Sequence, residues 1–145
     1  MSPAEPLADP LSPRVRSLFQ DLRQAGEVSA VAGGVVRKGE AGRARHGTRV
    51  RFSLRLDGCS VVEARYRAYG CPYTLAACEW LARRLQGMQL PALSGQGLAE
   101  AVGAPADWAE ALGVPAARLG RLLVIEDALR AAVAPPVDST MTKDA

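Results

Sequence analysis

Residues Arg49 to Leu56 alternate without a break, with Val50, Phe52, Leu54 and Leu56 set against Arg49, Arg51, Ser53 and Arg55. Successive side chains of a strand point to opposite faces, so this run is a strand with one face buried and one wet. A second run follows at once, in which Val62, Ala64, Tyr66 and Ala68 share a face opposite Glu63, Arg65 and Arg67. Two such neighbours pair as an antiparallel hairpin, and its apolar face needs a second layer to cover it. Parity constrains the connection. A two-residue Asp57-Gly58 turn sets Phe52 opposite Glu63 and mixes the faces. A three-residue loop of Asp57, Gly58 and Cys59 sets Leu54 opposite Val62 and Phe52 opposite Ala64, and this is the predicted register. It leaves Cys59 at an exposed tip.

The covering layer reads as helices. Ser12-Pro13 supplies an N-cap and a first-turn proline; Val15, Leu18, Phe19 and Leu22 follow at helical spacing, and Gly26 is the predicted stop. Residues 27–48 suit a strand or two with a flexible stretch around Gly39–Gly42. A helix is predicted from Cys71 to about Gln86, before Gly87, and two short helices over 90–113, broken by Gly95, Gly97, Gly103 and Pro105. Pro115 opens the last helix, whose predicted buried side carries Leu119, Leu122, Leu123, Ile125, Ala128, Leu129 and Val133, and Pro135-Pro136 ends it. This order predicts an α+β domain over residues 12–134, with helices on one face of a small antiparallel sheet. Residues 1–11 and 135–145 read as flexible tails.

Composition narrows the function. Aromatic residues make up only 5% of the 145, so Ala, Leu and Val must build most of the core. No apolar run approaches the ~20 residues of a membrane span, and the first residues lack a signal peptide's pattern; a cytoplasmic protein is expected. Three cysteines, Cys59, Cys71 and Cys78, are too few and too odd for a disulfide framework. A net charge of +3 does not by itself point to nucleic acid. Five arginines (Arg49, Arg51, Arg55, Arg65, Arg67) face one Glu63 on the wet side of the strands. No aromatic residue interleaves there, so no single-strand stacking platform is expected; the face is solvated or covered by the N-terminal segment. Gly33-Gly34 lacks the lysine and hydroxyl of a phosphate loop. No Ser/His/Asp set or paired carboxylates occur at recognisable spacing.

What remains is the segment Tyr69-Gly70-Cys71-Pro72-Tyr73-Thr74, which carries a thiol from the end of a strand onto the start of a helix. There it meets free backbone N–H groups and the positive end of the helix dipole, which favour the thiolate that binds metal or attacks sulfur. Cys71 also has a plain alternative as a small residue in a tight corner. Cys78 lies seven residues further along the same helix, about 10 Å away at ~1.5 Å per residue, too far to share a metal, and reads as a buried hydrophobe. Cys59 reads as an incidental exposed thiol.

The element order, Tyr69-Gly70-Cys71 at the strand-to-helix junction, Glu79-Trp80 in the following helix, and Ile125-Glu126-Asp127-Ala128-Leu129-Arg130-Ala131-Ala132 in the last resemble the NifU/IscU-type iron–sulfur cluster assembly scaffolds. The resemblance covers roughly residues 14–134. It implies a three-stranded antiparallel sheet, a non-enzymatic scaffold that holds iron or sulfur through Cys71 for transfer, and a cysteine desulfurase with other assembly proteins as partners. It implies no nucleic-acid or membrane partner. The implied cofactor is iron or an iron–sulfur cluster, with zinc as an alternative.

The family holds its cluster on three cysteines, an aspartate two residues after the first and a histidine just before the third. Only the junction cysteine is present here, as Cys71; the first-cysteine position falls on His46, with Thr48 at the aspartate's place. The histidine–cysteine pair falls on Gly120-Arg121, and the chaperone-recognition stretch on Val114-Pro115-Ala116-Ala117-Arg118. The metal-ligand candidates are therefore Cys71 and His46, two where a [2Fe–2S] cluster needs four positions. Arg121 has no lone pair to give. A cluster-free, partner-binding or regulatory module of the same assembly system is the second reading.

Overall fold

The hairpin forms around the faces its alternation defines, with a different turn. The protein is described from a computed structural model covering residues 11–29 and 34–134. Strand β2 (Thr48–Asp57) pairs antiparallel with β3 (Ser60–Tyr69), setting Val50 opposite Ala68, Phe52 opposite Tyr66 and Leu54 opposite Ala64. The turn is two residues, Gly58-Cys59, closed by the pair Asp57 and Ser60. The predicted three-residue loop and its register are thus corrected by two places. A bulge restores parity: the register shifts between Arg55 and Leu56, which pair with Glu63 and Val61. Val62 is the extra residue, so Val61 turns inward, fully buried, and Val62 stays 41% exposed. Cys59 is exposed at the tip, as expected.

The third strand, β1 (Val35–Arg43), pairs antiparallel with the other side of β2 and gives the order β1-β2-β3. It runs through Gly39–Gly42, which replaces the expected flexible stretch with paired backbone. The helices are α1 (Pro13–Phe19), α2 (Pro72–Leu85), α3 (Gly97–Val102), α4 (Pro105–Leu112) and α5 (Leu119–Val133). Helix α5 packs on β1 and β2, and α2 packs on β3 and α1. Phe52, Leu54 and Tyr66 from the sheet meet Leu81, Leu85, Trp108, Leu122, Ile125 and Leu129 in one core. The architecture is α+β, a three-stranded antiparallel sheet with helices on one face, as the sequence predicts.

Helix boundaries depart from expectation where caps compete. Ser12 does cap α1, its Oγ accepting from Val15 N–H, but the helix stops at Phe19 and not at Gly26. Residues 20–26 become a strap instead. Tyr66 N–H donates to Gln24 C=O, Gly26 N–H donates to Tyr66 C=O, and the strap runs beside β3. Pro115 opens a 3-10 turn over Ala116–Arg118, and α5 begins at Leu119. On α5 the predicted inward set holds for Leu122, Ile125, Ala128, Leu129 and Val133, but Leu123 is exposed. Of the expected N-terminal tail only Leu11 lies among the described residues, partly buried against the core; the rest of that tail and the expected tail over 135–145 fall outside them.

The wet face of the sheet is not left as five arginines against one carboxylate. Glu27 crosses it and pairs with Arg51, Arg67 and Lys38, Glu40 pairs with Arg49 and Arg51, and Glu63 pairs with Arg55 and Arg65. Val28 N–H donates to the buried Ser53 hydroxyl, so the N-terminal segment covers this face. Among the described residues no helix is long and apolar enough to cross a membrane.

Candidate functional site

One end of the sheet gathers the candidate residues. Antiparallel pairing sets Arg49 opposite Tyr69, so the start of β2 and the chain leaving β3 toward Cys71 lie at the same edge. The end of β1 lies there too, since Arg43 pairs with Thr48.

Cys71 is the N-cap of α2, half-buried and extended in backbone, with its C=O accepting the first helical bond from Leu75 N–H. Pro72 takes the first helical position, where its missing N–H costs nothing. The Cys71 Sγ caps no backbone group and lies 3.6 Å from Thr74 Oγ1, its hydrogen-bonding neighbour among the described residues. Thr74 is fully buried, and its side chain fills the space beside Gly70: a Cβ there would meet Thr74 Oγ1 at 2.9 Å. A glycine before the thiol thus lets the corner close on the residue that touches the sulfur.

His46 ends a 3-10 turn over Ala44–His46 between β1 and β2 and is exposed. Thr48 is buried. Its hydroxyl accepts from Arg121 Nη1 at 2.9 Å, which pins the first turn of α5 to the start of β2. Arg43, His46, Thr48, Gly120 and Arg121 line one open cleft of about 290 Å³. Cys71 is not among the residues lining it. The resemblance puts His46, Thr48, Gly120-Arg121 and Cys71 at ligand positions of one site; the structure brings the first four together and leaves the thiol outside their cleft.

Among the described residues no three His, Cys, Asp or Glu side chains come together to hold a metal. Cys71 and His46 are two donors, and Arg121, half-buried and fixed by Thr48, brings a positive charge to the end of the sheet where more would be needed. The residues present do not fit a cluster or a zinc ion held by this chain alone. Cys78 is fully buried in α2, and burial, with the Glu79 carboxylate as the lesser cause, pushes its thiol well above the usual range; it is inert, as expected.

Glu79 is the functional-looking residue whose role sequence reasoning missed. It is fully buried. Its Oε1 accepts from Tyr66 O–H at 2.9 Å and from Gln24 N–H at 3.0 Å, and its Oε2 accepts from Arg83 Nε at 2.6 Å. Burial first, and the Glu79 carboxylate second, push the Tyr66 phenol above its ordinary value. The carboxylate is satisfied on both oxygens and holds the strap over residues 20–26 against β3. The helical spacing of Glu79 and Arg83 carries the one local signal, while Gln24 and Tyr66 are distant in sequence. The Val114–Arg118 stretch begins with a buried Val114 and ends with Arg118 over the Tyr73 ring, 5.8 Å from its centroid.

Comparison with known proteins agrees with this architecture. The family described as NifU-like N terminal domain matches residues 11–135. The bifunctional protein NifU/MnmA of Rubrobacter xylanophilus is 41% identical over 97 residues, 64% of this chain and 19% of that protein. The chain therefore matches about a fifth of that relative's length. A crystal structure of a putative iron–sulfur cluster assembly scaffold protein for the SUF system, from Fervidobacterium islandicum, superposes with a TM-score of 0.62 at 14% identity, covering 84% of this chain and 95% of that one. A NifU-like protein (N-terminal) from Brucella abortus gives 0.55 at 13% identity, covering 84% and 90%. At these identities the structures speak for the fold.

Proposed function

Because the chain belongs to the family of NifU-like N-terminal domains, we propose that it serves iron–sulfur cluster assembly by holding sulfur through Cys71 for transfer, with a cysteine desulfurase as the donor. The observation that carries this reading is the donor set. One half-buried thiol stands at a helix N-cap, with no metal-binding group of three among the described residues. A persulfide needs one thiol, whereas a [2Fe–2S] cluster needs four ligand positions. Iron held by Cys71 and His46 alone is the weaker form of the same reading.

The step balances without an added oxidant. The Cys71 thiolate attacks the outer sulfur of a donor persulfide, the donor's S–S bond breaks, and the donor leaves as a thiolate while Cys71 carries the persulfide. The Thr74 hydroxyl, 3.6 Å from Sγ, is placed to hydrogen-bond the sulfur. The chain itself turns nothing over; it is a non-enzymatic carrier that meets its partners in the cytoplasm.

A second reading is favoured by the Arg121–Thr48 bond, which fixes a guanidinium where the resemblance puts a ligand. In it the domain is a cluster-free module that binds a partner of the assembly system. One experiment separates the readings. The protein is incubated anaerobically with a cysteine desulfurase and cysteine, and in parallel with iron and sulfide, as wild type and as Cys71→Ser. A mass gain of one sulfur on Cys71, absent in the variant, with no charge-transfer bands in either, supports the carrier. Bands with near-stoichiometric iron, lost in the variant, would show a working cluster scaffold. Neither sulfur nor iron leaves the partner-binding module.

A further inference from the structure

The cleft at the start of α5 is basic, and among the described residues no carboxylate pairs with the cations that line it. On the wet face of the sheet every arginine of the strands β2 and β3 is matched by Glu27, Glu40 or Glu63. In the cleft none of the lining residues is acidic. The side chains of Arg43 and His46 make no hydrogen bond or ion pair with a described residue. Arg121 gives one N–H to Thr48, and its buried Nε has no partner. Of the five N–H donors of this guanidinium, one meets Thr48 and the buried Nε–H meets none, and an unmet buried donor is costly.

The backbone adds to the same charge. Arg121 sits in the first turn of α5, a helix of 15 residues with no side-chain cap and no acidic residue in its first turn. Gly120, beside it, has open space where a side chain would stand. The 3-10 turn over Ala116–Arg118 runs into this helix end, with Leu119 N–H donating to Ala116 C=O, and no carboxylate in the first turn offsets the positive end of the dipole near the cleft. Two arginines, an imidazole and a threonine hydroxyl line the cleft from different elements: β1, the 3-10 turn over Ala44–His46, β2 and α5.

We propose that this cleft is an oxyanion site that takes a phosphate group, held by Arg43 and Arg121 with His46 and Thr48 completing the cradle. A carboxylate is met by one guanidinium fork. A tetrahedral dianion uses donors arriving from several directions, which is what two guanidiniums on different elements provide. The same feature that bars a cation from this end of the sheet makes it a place for an anion. The inference does not require sulfur on Cys71, since the thiol does not line the cleft.

The test is calorimetric titration of the whole chain with inorganic phosphate, and in a second arm with glycerol phosphate, at constant ionic strength set with chloride. Wild type is compared with Arg43→Gln, Arg121→Gln and, as a control outside the cleft, Arg45→Gln. Saturable binding is expected, about tenfold weaker in Arg43→Gln and Arg121→Gln and within about twofold of wild type in Arg45→Gln. Arg43 is exposed, so its variant keeps the fold if Arg121→Gln does not. Tighter binding of the ester identifies a phosphorylated small molecule as the ligand, and equal binding identifies free phosphate. No saturable heat from either anion, or equal losses in all three variants, overturns the proposal. Retained phosphate binding in Cys71→Ser separates the fate of this site from that of the sulfur carrier.

Discussion

Arg121 Nη1 donates to the buried Thr48 Oγ1 at 2.9 Å, joining two positions 73 residues apart in the chain. The bond ties the first turn of α5 to the start of β2. Replacing Thr48 by Val keeps the shape and removes the acceptor, so the half-buried guanidinium loses its partner. A loss of about 1–2 kcal/mol in urea denaturation is expected. Adding Arg121→Met to Thr48→Val removes both partners, and the double variant should then be less than additive in its cost. Strict additivity would show that the pair contributes nothing to stability.

Arg121 also stands where the resemblance places a cysteine. Arg121→Cys removes the positive charge and adds a third soft donor at the end of the sheet that holds Cys71 and His46. Iron retained after anaerobic reconstitution and gel filtration should rise severalfold over wild type. Iron unchanged in Arg121→Cys would show that the cleft and the thiol are too far apart to act on one metal.

The sheet's wet face makes stability depend on pH in a defined direction. Hydrogen bonds from Arg65, and then from Arg55, hold the Glu63 carboxyl below its ordinary 4.5, and Arg51 and Arg49 do the same for Glu27 and Glu40. A folded-state value below the unfolded one means the unfolded chain binds more protons in that window. The contribution is therefore present above 4.5 and is lost as pH falls below it. The denaturation midpoint should drop through this range, and Glu63→Gln should flatten part of the drop. An unchanged acid limb in Glu63→Gln would mean that its half-buried pairs with Arg55 and Arg65 carry no linkage.

Glu79 carries a larger stake because no solvent reaches it. Glu79→Ala leaves Arg83, Tyr66 O–H and Gln24 N–H without their acceptor, and breaking one side of such a buried network costs about 3–5 kcal/mol. The strap over residues 20–26 should also lose hydrogen-exchange protection at Gln24 and Gly26. A destabilised variant with an intact strap would confine the role of Glu79 to its pair with Arg83.

Much of this was legible in the chain because it is local. The inward face of β2, the junction at Cys71 and the core side of α5 are written in periods of two and 3.6. The bulge was not legible, since Val61 and Val62 are both apolar and either can face inward; only the two-residue turn decides between them. Glu27 and Glu40 meet their arginines through pairing that no spacing rule encodes, so the wet face looked more basic than it is. The candidate positions came from the resemblance, one by one, but their geometry was not legible. That Arg121 would reach Thr48, and that His46 would share their cleft while Cys71 stood apart, depends on how α5 lies across the sheet.

Where α5 lies is set by a residue that looked like a source of flexibility. Gly39 is paired with Phe52 in the middle of the sheet and faces α5. A Cβ added there would stand 2.2 Å from Ala132 N and 2.3 Å from Ala128 O, both backbone atoms that cannot turn aside. The helix presents alanines at this crossing, so strand and helix backbones meet without a side chain between them. Gly39→Ala must push α5 away from β1. Overpacking of this kind costs about 1–3 kcal/mol or more, against the roughly 0.5–1 kcal/mol a strand gains from losing a glycine elsewhere. The displacement should propagate to the first turn of the helix, lengthening the Arg121–Thr48 contact and weakening phosphate binding although no cleft residue has changed. Gly39→Ala should therefore lower both the melting temperature and the affinity for phosphate, while Gly58→Ala, at the far hairpin with open space around it, should leave the affinity alone. Full phosphate affinity in a destabilised Gly39→Ala would show that the cleft is built by the β1–β2 connection alone and owes nothing to the seating of α5.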